Sequence, residues 1–140
     1  DRVQDICDAC HKHSAGVKDN GSSMGLFTTS EFKSNGLNLE DSGDQGASGR
    51  FVVPGIRNLT VTAPYMHDGR FETLLDVVEH YDTQMVATPA LEPPLAKEGQ
   101  PRKMLMNDDD KAAIAAMIGV FTDPHFLSNP AYASPFPNQE

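Results

Sequence analysis

Cys7-Asp8-Ala9-Cys10-His11 carries the densest chemistry in the sequence. The pattern C-x-x-C-H is the attachment motif for c-type haem. Two thiols must each reach one vinyl group on the same edge of a porphyrin, and two intervening residues set that reach. The next residue, His11, then supplies an imidazole to the iron from the proximal side. Three other uses of the pair fit less well. A Cys7–Cys10 disulfide would close a very short loop and add little stability. A thioredoxin-like redox pair belongs beside a βαβ pattern, which the sequence lacks. A zinc site normally shows a second ligand pair at fixed spacing, and His11 with His13 matches no common zinc module. Thioether attachment implies assembly outside the reducing cytosol, hence a periplasmic or extracytoplasmic home.

Composition explains why this chain needs an organising cofactor. Its 140 residues hold 11 Gly and 10 Pro, no Trp and only three Tyr. That mixture implies long loops and few regular elements. The length fits one domain, 1–140, with a haem-binding body to residue 123 and an extended tail over 124–140. No apolar run approaches the roughly 20 residues of a membrane-spanning helix, so no membrane insertion is expected. Lys and Arg total 11 against 20 Asp and Glu, a formal charge of -9. Such a surface repels nucleic-acid phosphates and anionic lipids and favours basic redox partner proteins.

Few elements are expected to position the motif. Residues 1–10 form a short helical lead. Residues 12–50, rich in Gly, Ser, Asn and Asp, read as one long loop anchored by Leu26, Phe27, Phe32 and Leu37, with Ser42–Gly49 its freest part. Thr73 to Asp76 fits a capping box, so a helix starts there and runs to about residue 84. Leu74, Val77, Val78, Tyr81 and Met85 form its apolar stripe. Thr88–Pro101 is a proline-rich loop. Asn107 caps a last helix whose first turn holds Asp108, Asp109 and Asp110. Ile114, Met117, Ile118 and Phe121 form its buried stripe, and Asp123-Pro124 ends it. The expected class is all-α, a cytochrome c-like haem domain with few helices and long Gly/Pro-rich loops.

Several segments resemble the C-terminal haem domain of the bacterial dihaem cytochrome c peroxidase and MauG family. They are Arg50-Phe51-x-x-Pro54-x-x-Arg57-Asn58, Thr62-Ala63-Pro64-Tyr65-Met66-His67-Asp68-Gly69, Thr73-Leu74 through Val78-Glu79-His80-Tyr81, and Asp123-x-x-Phe126-Leu127-x-Asn129-Pro130. Phe27-Thr28 and the Phe32, Asn35, Gly36 group fit the family's loop after the haem motif. The resemblance implies one covalent haem c, an electron-transferring role, and a second haem domain, not in this sequence, where hydrogen peroxide is reduced. It also implies a calcium between the two domains, with Thr62 and Pro64 matching through backbone carbonyls; this sequence supplies only that side.

The distal iron ligand stays open among several residues. The peroxidases place a methionine twelve residues beyond the Asp-Gly glycine. That position here is Tyr81, which resembles MauG. Tyr81 also lies on the apolar stripe, where a buried tyrosine needs no iron to explain it. Met85, Met66, Met104, Met106 and His67 are the alternatives, although methionines commonly fill core gaps. His67 also suits a distal-pocket contact. Arg57 and Arg70 are candidates for the haem propionates. His13 and His125 read as surface residues. Two functions follow: a single-electron relay, or a component of a peroxidase or MauG-like oxidoreductase.

Overall fold

The computed structural model describes residues 7, 8, 10, 11, 29–37 and 49–136. Expectations for residues 1–6, for His13, Leu26 and Phe27, and for 42–48 lie outside them.

The chain is not all-α. Among the described residues two small antiparallel sheets join the helices, with about 39% helix and 12% strand. Strand β1, Thr29–Lys33, lies inside the stretch expected to be loop and pairs with β2, Phe51–Val53. Phe32 faces Val52 and Lys33 faces Phe51, with an irregularity between Thr29 and Phe32. Val53 points into the core. Glu92, its side chain 8% exposed, ties both strands down through Lys33 Nζ at 3.2 Å and Arg50 at 3.9 Å. The second sheet, β3 Ala96–Lys97 and β4 Gln100–Pro101, falls in the expected proline-rich loop. Glu98 and Gly99 turn it with φ of 52° and 76°. Two consecutive positive φ values match the right-handed strand twist of a two-residue hairpin.

The helices start where their caps place them. Thr73 Oγ1 accepts the Asp76 amide at 3.1 Å, and Asp76 Oδ2 accepts the Thr73 amide at 3.0 Å. This capping box opens α1, Leu74–Glu79. The chain continues as a π-helical turn, His80–Gln84, so the helical path ends at the expected residue but with a widened last turn. Such turns often mark functional sites. Asn107 Oδ1 accepts the Asp110 amide at 2.8 Å and opens α2, Asp108–Gly119. Three aspartates in its first turn complement the helix dipole.

Helix α2 does not bury its apolar stripe: none of its residues is buried, and Met117 is 51% exposed. Helical spacing says which side chains share a face, not what covers that face. The tail is not extended throughout. It forms α3, Pro124–Ser128, capped by Asp123, then a 3₁₀ turn at Pro130–Tyr132. Phe126 stacks on Tyr132 at 4.8 Å, as a staple of that segment.

The core gathers where α1 widens. Met85 and Leu95 are buried together, with Tyr81, Leu91 and Met104 packed against them. Among the described residues, no helix is long and apolar enough to cross a membrane.

Candidate functional site

Cys7 and Asp8 are helical, and the Cys7 carbonyl accepts the amides of Cys10 at 3.2 Å and His11 at 2.8 Å. One helical turn therefore carries both thiols and the imidazole. Neither Cys7 nor Cys10 forms a disulfide. Partial desolvation, then the charges of Asp8 and Cys10, push the Cys7 thiol up.

Tyr81 belongs to the same neighbourhood. Burial pushes its hydroxyl up to about 12, and thiolate charge on Cys10 and Cys7 pushes the same way. The Asn35 side chain acts in the opposite direction. The tyrosine sits in the π turn between two buried residues. His80 is 2% exposed, and its Nε2–H donates to the Asn35 carbonyl at 3.0 Å. Burial, the main cause, lowers the His80 pKa, so a neutral ring fits that single donated bond. Asp82 is 1% exposed. Burial pushes its carboxyl up, but Lys111 and the Met106 amide outweigh that and leave it below the usual range. Lys111 Nζ lies 2.9 Å from Asp82 and also bonds Glu79, so it pins the π turn and α1 to α2.

The alternative ligands have other partners. Met85 is a core residue beside Leu95. Met66, at φ 72°, accepts Asn35 Nδ2–H on its sulfur at 3.5 Å. Met104 packs on the core, and Met106 contributes its backbone amide to Asp82. His67 is exposed and stacks on Phe51, with centroids 4.0 Å apart and planes 16° apart. Arg70 forks onto Asp68, with Nε to Oδ2 at 2.7 Å, and donates to the Leu37 carbonyl at 3.3 Å. Arg57 lines an open cavity of about 250 Å³ with Val120, Phe121, Thr122, Asp123 and Pro124. Thr62 closes a 3₁₀ turn, its hydroxyl donating to the Leu59 carbonyl at 3.1 Å. The described His, Cys, Asp and Glu residues form no group of three fit to hold a metal ion. Asn35, His80 and the Asp82–Lys111 pair were not singled out as site residues. Asn35 had a signal, its place in the family-like loop segment; the long-range Lys111 contact had none.

No family model matches the chain. It is 29% identical over 106 residues to the methylamine utilization protein MauG of Methylophilus methylotrophus, covering 69% of this chain and 28% of that protein. It is 32% identical over 89 residues to cytochrome-c peroxidase IdrP2 of Pseudomonas sp. (strain SCT), covering 64% and 22%. The cytochrome c551 peroxidase of Nitrosomonas europaea is 35% identical over 74 residues, covering 52% and 22%. Its homologues are MauG proteins and cytochrome c peroxidases.

The likeness to MauG extends to the fold. The crystal structure of a MauG-like protein associated with microbial copper homeostasis superposes with a TM-score of 0.61 at 25% identity, covering 96% of this chain and 50% of that one. The chain thus spans less than a third of these curated MauG and peroxidase relatives and half of the solved MauG-like chain. The donor set fits a c-type haem: two thiols outside any disulfide, an imidazole on the same turn and a phenol within their electrostatic reach.

Proposed function

We propose that this chain holds one covalent haem c and relays single electrons, as the electron-transferring haem domain of a MauG or dihaem peroxidase relative. The observation that carries the reading is the turn Cys7–His11, with the Tyr81 phenol within electrostatic reach of its thiols. Cys7 and Cys10 would form the thioether links, His11 would bind iron on the proximal side, and Tyr81 would bind on the distal side. When bound, haem supplies a reversible one-electron couple. The protein's part is stiffness. His80 and Asp82 fix the π turn at both flanks of Tyr81, so the donor moves little when charge changes. A tyrosine oxygen favours ferric iron and lowers the potential relative to methionine. The partners are a basic redox protein or another haem domain, and the location is the periplasm, where thioethers assemble.

The peroxidase names among the relatives favour a second reading, a component of an oxidoreductase acting with hydrogen peroxide through another haem. Spin state separates the two. The relay predicts a fully low-spin ferric haem, indifferent to cyanide. Peroxide chemistry at this haem predicts a high-spin, cyanide-binding one. For the ligand itself, Tyr81→Phe should change the ferric optical and EPR spectra, and an unchanged spectrum removes Tyr81 from the iron.

A further inference from the structure

The widened turn that carries Tyr81 is held from two sides. Residues two apart on a helical path point in nearly opposite directions. Here both flanks of Tyr81 are buried, His80 at 2% exposure and Asp82 at 1%. One side is a brace of backbone. The Asn35 carbonyl accepts His80 Nε2–H at 3.0 Å, and the Gly36 carbonyl accepts the amide of Val86, just past the turn, at 2.8 Å. The other side is a knot at Asp82. Its backbone carbonyl accepts the Met104 amide at 3.1 Å, and its Oδ1 accepts the Met106 amide at 3.1 Å. Its Oδ2 lies 2.9 Å from Lys111 Nζ. Lys111 is itself fixed. Its amide closes the first turn of α2 on the Asn107 carbonyl at 3.1 Å, and its ammonium also reaches Glu79 of α1. One side chain thus ties the π turn to both helices.

We propose that Lys111 is a positioning residue for the distal donor: by holding the Asp82 carboxylate it fixes the rotation of the π turn, and so the aim of the Tyr81 phenol. The inference rests on Tyr81 being the distal ligand. Lys111 acts through Asp82, not on the iron. Without the ammonium, a buried carboxylate is left uncompensated, and the turn must open toward water to solvate it. Asp82 follows Tyr81 directly, so that opening turns the phenol away.

The test is the ferric EPR and optical spectrum of haem-loaded Lys111→Met and Lys111→Arg, beside wild type, Tyr81→Phe and Tyr81→Phe/Lys111→Met. Lys111→Met should show a second ferric species, high-spin or with shifted low-spin g-values. Its ratio to the wild-type form should rise roughly tenfold or more, the equilibrium effect of losing a hydrogen bond to a charged group. Lys111→Arg keeps the cation and should keep the wild-type spectrum. In the Tyr81→Phe background, Lys111→Met should add nothing. Should Lys111→Met fail to fold, Asp82→Asn/Lys111→Met leaves no unpaired carboxylate in the core and is read the same way. A wild-type spectrum in Lys111→Met, even with a lower melting temperature, would make Lys111 purely structural and overturn the inference. Failure of both variants to fold would do the same. An arginine variant as perturbed as the methionine one, or an added change in the Tyr81→Phe background, would also overturn it. A Tyr81→Phe spectrum identical to wild type would instead overturn the ligand reading beneath it.

Discussion

At the scale of single residues, the motif Cys7-x-x-Cys10-His11 is local: one helical turn carries both thiols and the imidazole, so its proposed chemistry needs no long-range contact. It also makes a sharp prediction. Cys10→Ser should leave one thioether, and the double change with Cys7→Ser should leave none. Intact mass after acid–acetone extraction should then show cofactor retained in the single variant and lost from the double. Asp68 supports a second prediction, about pH. The Arg70 guanidinium, its largest influence, holds the carboxyl below its ordinary 3.8, against burial and with help from the Arg70 amide. A carboxyl depressed on folding contributes stability above its ordinary value, and that contribution disappears as pH falls through the lower folded value. The pair is about one-third exposed on each side, so solvent limits its worth to roughly 0.5 kcal/mol. Thermal unfolding of Asp68→Asn should therefore fall slightly below wild type at pH 6 and converge with it as pH falls through the carboxyl's lowered folded value.

At the scale of elements, legibility followed the range of the signal. Thr73–Asp76 and Asn107–Asp110 are caps, written within four residues, and both form as expected. Strand β1 was not legible because its partner, Phe51–Val53, lies across a Gly- and Ser-rich stretch and Phe32 is 55% exposed, so neither pattern nor burial advertises it. The π turn was hidden too. Its cause is tertiary: His80 and Asp82 both turn inward, held by Asn35 and Lys111. Glycine gives an element-scale test. Gly36 has φ 68°, and an added Cβ would meet Leu91 Cδ1 at 3.0 Å, the Val86 carbonyl at 3.1 Å and Met85 Cβ at 3.2 Å. Gly99 has φ 76° but open space around it. Gly99→Ala should cost about 1 kcal/mol from left-handed strain alone. Gly36→Ala adds overlap against backbone, and should cost about 2–4 kcal/mol in chemical denaturation. Equal costs would mean that the Gly36 segment gives way freely and cannot brace the turn.

At the scale of the molecule, charge was legible from composition, while the fold class was not, because residue counts do not report short sheets. The sequence carries -9 formally, and Asp108, Asp109 and Asp110 are exposed together at the start of α2. Long-range attraction between such a surface and a basic partner accelerates encounter without requiring tight binding. Salt removes it, because the screening length falls to about 10 Å at 0.1 M ionic strength. Electron exchange between the haem-loaded protein and a basic cytochrome should slow by about tenfold or more from 10 mM to 200 mM salt. Exchange with an acidic cytochrome should quicken over the same range as repulsion is screened. Reversing the aspartate cluster with Asp108→Lys and Asp110→Lys should flatten the first dependence if the partner approaches near α2. An unaltered slope would move the docking face to another part of the acidic surface. Salt-independent exchange with both cytochromes would show that net charge does not guide the encounter at all.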